Sequence, residues 1–215
     1  MTASPGPFAR YVAIGDSSTE GLDDPMGGGR YRGWADRFAE HVAEAQSSPL
    51  LYANLAIRGR KANEVRAEQL AAALAMRPDL ATVFAGTNDV LRRRVDLDGV
   101  AHELGTMQRA LRGLGATVLT ITVPDLSAVT PLGALVRDRV LALNARLRAT
   151  AEETGTLMVD LAAHPVTGDP RLWSEDRLHA NSEGHRRIAS ALAARLGLAG
   201  AGDEWALPLP ARAPR

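Results

Sequence analysis

Short apolar runs alternate with longer amphipathic stretches along most of the chain, and this alternation restricts the possible folds more than any other feature. The apolar runs occupy residues 8–15, 50–55, 80–85, 117–123 and 157–160. Their β-branched content and the turn residues that end them predict strands. Helical spacing or helix-favouring composition marks residues 34–45, 62–77, 100–114, 135–154 and 182–196, the last with Ser182 as its predicted cap.

Strands that alternate with helices build parallel βαβ units, whose helices cover both faces of one sheet. The predicted fold is therefore α/β, a three-layer α/β/α sandwich with a flavodoxin-like five-stranded parallel sheet. A chain of 215 residues suits one domain, and residues 1–199 are expected to form it. Glycine, alanine and proline dominate residues 200–215, which predicts a loose tail with Trp205 as a candidate anchor.

Charge and cysteine content exclude several classes of protein. The 25 basic and 25 acidic residues cancel, so the chain lacks the positive field that binding to nucleic acid requires. Cysteine is absent, which excludes disulfides, thiolate metal sites and cysteine nucleophiles. No segment reaches the ~18 apolar residues of a membrane span, and residues 1–10 lack the apolar stretch of a secretory signal. A cytoplasmic protein is expected.

Small and amide side chains fill the loops after the first three predicted strands. These loops read GDSSTEG from Gly15, NLAIRG from Asn54 and GTND from Gly86. In an open parallel sheet, ligands bind beyond the carboxyl ends of the strands, where the strand order reverses. The three loops are therefore expected to meet at a ligand site.

Together with DRLH at residues 176–179, the three loops resemble the motif blocks of the GDSL, or SGNH, hydrolase family over residues 15–179. The resemblance implies Ser17 as nucleophile, His179 as general base and Asp176 as the partner of the histidine. It also implies an oxyanion hole made of the Ser17 and Gly59 backbone N–H groups and the Asn88 side-chain amide. The expected activity is hydrolysis of small-molecule carboxylic esters.

The chemistry of these residue types supports the same interpretation. A serine hydroxyl is a weak nucleophile until an adjacent base accepts its proton, and an imidazole oriented by a carboxylate supplies such a base. Preorganised neutral donors stabilise the oxyanion that attack on an ester produces. Neither a cofactor nor a metal is expected, because the other histidines lack the spacing of metal ligands.

Several of these residues also have simpler interpretations. Ser17 could be a helix N-cap, since Glu20 follows three residues later as in a capping box. Asn88 could close a turn. Ser18 stands where the family name leads one to expect leucine, and it is an alternative nucleophile. Arg58 and Arg60 flank Gly59 and could attract an anionic substrate.

Two other functions remain open at this stage. An acyltransferase could use the same serine, and a flavodoxin-like binding module could use the same loops without chemistry. Oligomeric state and acyl-chain preference are not predicted. The apolar residues after the fourth strand could line an acyl pocket or pack in the core; they are Leu126, Val129, Leu132 and Leu135.

Overall fold

The computed structural model describes residues 7–211. The first six residues of the N-terminal segment and the last four of the predicted tail lie outside the described residues. The strands are β1 Arg10–Gly15, β2 Pro25–Gly27, β3 Arg30–Tyr31, β4 Leu51–Asn54, β5 Leu80–Phe84, β6 Thr117–Ile121 and β7 Leu157–Val159. The helices are α1 Ser17–Glu20, α2 Gly33–Glu44, α3 Ala62–Ala75, α4 Thr87–Val90, α5 Leu97–Gly113, α6 Pro131–Thr154 and α7 Ser182–Leu196.

Five of the strands form one parallel sheet in the order β4-β1-β5-β6-β7. The chain therefore starts in the inner strand β1, moves to one edge for β4, and then crosses back to add β5, β6 and β7 on the other side. This flavodoxin-like order confirms the predicted sheet. The direction of strand addition reverses beside β1, so the carboxyl ends of β1, β4 and β5 form the edge where a ligand is expected.

Helices cover both faces of the sheet, which explains why its inner strands are mostly buried and rich in apolar residues. On one face α2 packs against α7, and on the other α3, α5 and α6 form a connected layer. Tyr11 of β1 is fully buried between the rings of Phe38 and Tyr52, at centroid distances of 5.3 and 5.0 Å. Burial of a side chain of this kind stabilises the fold by roughly 1.5–3 kcal/mol.

Two helices begin three or more residues earlier than predicted, α5 at Leu97 and α6 at Pro131. Helix α6 begins four residues before the predicted start, because Thr130 is extended and a proline suits the first helical position. Leu132 therefore lies on this helix together with Leu135. Helix α7 is capped by Asn181 instead of Ser182: the Asn181 Oδ1 accepts hydrogen bonds from two backbone N–H groups, each at 3.1 Å. Among residues 7–211, no helix combines the length and apolar character of a membrane span.

A glycine-rich segment after α1, at residues 27–29, forms the turn of a short hairpin. β2 and β3 pair as an antiparallel hairpin around Gly27, Gly28 and Gly29, all with positive φ. The short, exposed strands lack the apolar alternation that would have predicted them.

Residues after α7 contact the sandwich through Trp205. This side chain is 8% exposed and lies on a 3₁₀ turn over Asp203–Ala206. The buried Arg187 of α7 donates hydrogen bonds to the carbonyl oxygens of Trp205 and Leu207 at 2.7 and 2.6 Å. These contacts hold the turn against the helix, while the division at residue 199 stays a prediction.

A buried side-chain amide holds the end of β1. Gln69 of α3 accepts a hydrogen bond from the Gly15 N–H and donates one to the Gly15 carbonyl oxygen, both at 2.8 Å. Gln69 is 2% exposed, so water cannot replace either bond. The amide thereby fixes the backbone that leads directly into Ser17.

Replacement of Gln69 by leucine removes both bonds and puts an apolar side chain of similar size in place of the amide. We expect the free energy of unfolding to fall by about 1–3 kcal/mol, because the Gly15 N–H would stay buried without a partner. Urea unfolding measures the loss. The matched control is Glu68→Ala on the exposed face of the same helix, which removes only the ion pair with Arg60 and should cost about 1 kcal/mol or less. Equal stability of wild type and the leucine variant would contradict the assigned role.

Candidate active site

Ser17 begins helix α1, directly after the tight turn that follows β1. Asp16 is the N-cap of that helix, since its side chain accepts a hydrogen bond from the Ser18 N–H at 3.1 Å. Ser17 is therefore the first helical residue and not the cap, and it is 8% exposed. The turn requires glycine at position 15, because an added Cβ would overlap the Phe84 carbonyl oxygen and the Thr19 side chain.

Asp176 and His179 are fixed by a compact loop before α7. The Asp176 Oδ1 accepts hydrogen bonds from the N–H groups of Leu178 and His179 at 2.9 and 3.0 Å. Arg177, directly after Asp176, adopts a positive φ of 58°. The Ser174 N–H donates to the His179 carbonyl oxygen at 2.9 Å. The loop thus sets the imidazole and the carboxylate in one orientation.

The structure brings the three predicted triad side chains into contact. The Ser17 Oγ lies 2.8 Å from the His179 Nε2, although the two residues are 162 positions apart in the chain. The His179 Nδ1 lies 2.6 Å from the Asp176 Oδ2. With Asp176 ionised, Nδ1–H donates to the carboxylate and Nε2 is left to accept the Ser17 hydroxyl proton.

Asp176 is kept ionised by its surroundings. Partial burial alone would raise the pKa of this carboxyl. The hydrogen bonds from the His179 backbone, the Ser174 hydroxyl, the His179 ring and the Leu178 backbone outweigh burial and hold the pKa well below its usual range. The negative charge needed to orient the imidazole is therefore present at all pH values near neutrality.

Of the predicted oxyanion donors, Ser17 and Asn88 line the cavity, whereas Gly59 does not. Asn88 follows β5 and lines the same cavity as Ser17 and His179. Its Nδ2 lies 3.0 Å from the Arg60 carbonyl oxygen and 3.3 Å from the Asp16 Oδ2, so both acceptors hold the amide in place. Gly59 is exposed and does not contribute to the described lining of that cavity.

The backbone conformation explains why glycine stands at position 59. An added Cβ there would meet no atom within 4 Å, but the residue has a φ of 77°. Side chains other than glycine rarely adopt this left-handed conformation. Glycine is therefore required here by the backbone conformation.

Asp16 is an important site residue to which sequence reasoning gave no role. It is 1% exposed and lies beside Ser17 in the wall of the cavity. Burial raises the pKa of Asp16 to about 7, against the lowering effects of the Ser18 N–H hydrogen bond and of His179. A charged residue directly after an apolar, fully buried strand is the signal that could have identified it.

Asp23 is a second missed residue, and it brings another carboxylate to the triad. Its oxygen lies within 4.8 Å of ligand atoms on both Asp176 and His179, and its φ is 69°. Among residues 7–211, these three form the one group of acidic and histidine side chains close enough to chelate a metal ion. An ion there would compete for the atoms that join His179 to Ser17 and Asp176.

Buried polar contacts fix the segment that carries Asp23. His185 is fully buried; the Trp34 N–H donates to its Nδ1 at 3.1 Å, and its Nε2 donates to the Leu22 carbonyl oxygen at 3.0 Å. Burial lowers the pKa of His185 and so favours the neutral ring. Asp24 forms a 2.8 Å ion pair with Arg37. Residues 22–24 are thereby tied to both α2 and α7.

The charged residues near Gly59 are paired locally. Arg58 binds Glu20 at 2.6 Å and Arg60 binds Glu68 at 2.7 Å. This pairing weakens the hypothesis that the two arginines attract an anionic substrate. Asp89 accepts a hydrogen bond from the Ala62 N–H at 3.1 Å, so it braces the start of α3.

Several solved structures share the fold of this chain. Three similar solved structures are Axe2, an acetylxylan esterase from Geobacillus stearothermophilus, a lipase/acylhydrolase from Enterococcus faecalis, and LAE5, an α/β hydrolase from the metagenome of Lake Arreo, Spain. Their TM-scores are 0.69, 0.73 and 0.73, with identities of 21%, 20% and 21%. The matches cover 92%, 94% and 88% of this chain and 97%, 100% and 95% of those chains. A sequence comparison with curated proteins finds no match.

The three-layer fold and the position of the site at the carboxyl ends of β1 and β5 define an α/β/α hydrolase. The model of the GDSL-like lipase/acylhydrolase family matches residues 13–187, and the chain belongs to that family. The protein is accordingly an esterase, as the sequence predicts, with small-molecule esters as its substrates.

The buried carboxyl of Asp16 should make stability depend on pH. The folded protein holds the proton to about pH 7, whereas the unfolded chain loses it near its ordinary pKa of 3.8. Stability from the protonated group is therefore complete below pH 3.8 and is lost as the pH rises through 7. We expect Asp16→Asn to gain stability relative to wild type between pH 4 and 8, on the order of a few kcal/mol.

Urea unfolding at several pH values tests this expectation for Asp16. The control variant Asp98→Asn removes an exposed carboxylate that is paired with Arg146, and it should show no such gain as the pH rises. A difference between Asp16→Asn and wild type that stays constant, or shrinks, from pH 4 to 8 would contradict the prediction.

Proposed function

We propose that the protein hydrolyses esters of small and medium carboxylic acids through an acyl-enzyme intermediate on Ser17. The observation that carries the proposal is the continuous chain of contacts from Ser17 Oγ to His179 Nε2 and from His179 Nδ1 to Asp176, at 2.8 and 2.6 Å. Both distances lie in the range that general base catalysis requires.

Acylation begins when the Ser17 Oγ attacks the ester carbonyl carbon. The Ser17 proton passes to the His179 Nε2, and the ionised Asp176 stabilises the imidazolium through Nδ1–H. When the tetrahedral intermediate collapses, the bond to the alcohol oxygen breaks and the proton on Nε2 passes to that oxygen. The alcohol leaves, and the acyl group stays on Ser17.

Hydrogen-bond donors on the cavity wall stabilise the oxyanion of each tetrahedral intermediate. The Ser17 backbone N–H and the Asn88 Nδ2 are the best-placed candidates, and Gly59 is a further one on the exposed side of the site. The Arg60 carbonyl oxygen, at 3.0 Å, holds the Asn88 amide in place before the substrate binds, and the second N–H, 3.3 Å from Asp16, would leave that carboxyl to donate to the oxyanion. Such preorganisation is commonly the largest catalytic term.

Deacylation uses the same groups with water in place of the serine hydroxyl. The water oxygen attacks the acyl carbon while His179 accepts a proton from that water. His179 then returns the proton to the Ser17 Oγ when the acid is released. The His179 side chain is 15% exposed, which lets water reach the base. This access favours hydrolysis as the outcome of the second step.

Replacement of Ser17 by alanine should lower kcat/KM for a p-nitrophenyl ester by about 10⁴-fold or more, because no other group can form the acyl intermediate. The matched control is Ser18→Ala. The Ser18 hydroxyl accepts a 3.4 Å hydrogen bond from the Trp34 indole, whereas the His179 Nε2 is bonded to Ser17. We expect this variant to keep at least a third of the wild-type rate. Turnover near wild type in the Ser17 variant would refute the proposed mechanism, and loss confined to the Ser18 variant would reassign the nucleophile.

Replacement of Asn88 by alanine should lower kcat by roughly 10²–10³-fold and change KM for a small ester much less, because the donor acts on the transition state. Steady-state kinetics separate the two constants. Circular dichroism and urea unfolding check that the variant folds. A folded variant with unchanged kcat would exclude Asn88 from the oxyanion hole.

A further inference from the structure

The cavity beside Ser17 is polar at one end and apolar over the rest of its wall. Ser17, Asn88 and His179 lie at the polar end. The apolar wall includes Phe84, Ile121, Val123, Leu161, Trp173 and Ile188. A sugar or other polyhydroxyl alcohol would find few hydrogen-bond partners against these side chains, and unpaired hydroxyls are costly to bury. The hydrocarbon part of an acyl group suits the wall better.

The size of this cavity restricts the acyl group. Its volume is about 40 Å³, far below the roughly 300–1,000 Å³ of pockets that hold drug-sized ligands. The cavity therefore has room for a short acyl chain and not for a long one. An acetyl, propionyl or butyryl chain fits this space, and an octanoyl chain does not.

A second apolar chamber of about 20 Å³ lies directly behind the first. Both chambers are lined by Pro124, Leu161, Trp173, Ala180 and Ile188, which therefore form the partition between them. Beyond the partition the lining continues with the buried side chains of Val166, Leu172 and Trp205. Trp173 is the largest side chain in the partition.

The indole of Trp173 is held in a fixed position. Its Nε1 donates a hydrogen bond to the Thr167 carbonyl oxygen at 2.8 Å. Its backbone forms an antiparallel bridge with Ala180, the residue after His179. The ring that closes the cavity is therefore attached to the same short loop as the imidazole that faces Ser17.

We propose that this cavity is the acyl pocket, that Trp173 closes its far end, and that the enzyme consequently acts on esters of short acids, from acetyl to butyryl. The proposal rests on the proposed role of Ser17. It adds a specificity-determining residue and a class of substrate to that role.

A third chamber also adjoins the pocket, and it is a less suitable extension. It shares Leu126 and Leu178 with the acyl pocket, but its lining also includes Asp176 and Arg177. Leu132 on its wall is 44% exposed. A longer acyl chain would meet charge and solvent there. The chamber behind Trp173 is lined mainly by buried apolar groups, and the one charged side chain in its lining, Arg187, is bound to the carbonyl oxygens of Trp205 and Leu207.

The test measures kcat/KM for p-nitrophenyl acetate, butyrate, hexanoate and octanoate with the full-length protein and its variants. We expect wild type to prefer acetate or butyrate over octanoate by tenfold or more. Trp173→Ala opens the partition and should raise the ratio of octanoate to acetate activity at least tenfold. Trp173→Leu keeps an apolar side chain at this position and should give a smaller shift, towards hexanoate. It provides the test if the alanine variant does not fold.

Two further variants separate removal of the partition from a general loosening of the loop. Leu172→Ala enlarges the chamber behind Trp173 without opening it, so the chain-length preference should stay that of wild type. Leu126→Ala opens the wall towards the third chamber and should not reproduce the shift seen with Trp173→Ala.

Three results would overturn the pocket assignment: equal rates of wild type on octanoate and butyrate, an unchanged preference in folded Trp173 variants, or an equal shift in either control variant. Each of these can occur while hydrolysis still requires Ser17, and in that case the proposed function stands. Hydrolysis that persists in Ser17→Ala would instead remove the proposed function.

Discussion

The hydrogen bond between Ser17 and His179 is the interaction on which the whole site depends, because it joins groups 162 positions apart. The fold makes this contact possible by packing α7 against α2 on one face of the sheet. Buried His185 bonds to the Trp34 N–H and the Leu22 carbonyl oxygen. Residues 22–34 and the loop that carries the imidazole are thereby held together by packing and hydrogen bonds, in a chain that contains no cysteine.

Two aspartates beside the triad show how environment decides the charge of one residue type. Asp176 accepts four hydrogen bonds, which hold its pKa well below the usual range and keep it negative. Asp16 is fully buried, and burial raises its pKa to about 7. The first carboxylate orients the imidazole, whereas the second contacts Asn88 and lowers stability as the pH rises. A site of this kind exchanges some stability for a preorganised arrangement of donors.

Much of the fold follows from the sequence, because five apolar runs separated by helical stretches leave few topologies other than a parallel sheet. The contact between Ser17 and His179 was predicted from the resemblance of four motif blocks and their order. The residues that the sequence did not predict depend on tertiary contacts. Asp23 lies beside the triad because of a left-handed backbone conformation. Trp173 lies in the wall that two chambers share. The sequence around either residue contains no local pattern that would predict such contacts.

The most direct measurement of the central claim is the position of a covalent adduct after reaction with a fluorophosphonate, which combines with an activated serine. Intact mass spectrometry followed by peptide mapping locates the adduct. The account predicts one adduct per chain, on Ser17, with loss of esterase activity in proportion to labelling. An adduct on a different residue, or an unlabelled Ser17 in a preparation that still hydrolyses esters, would contradict it.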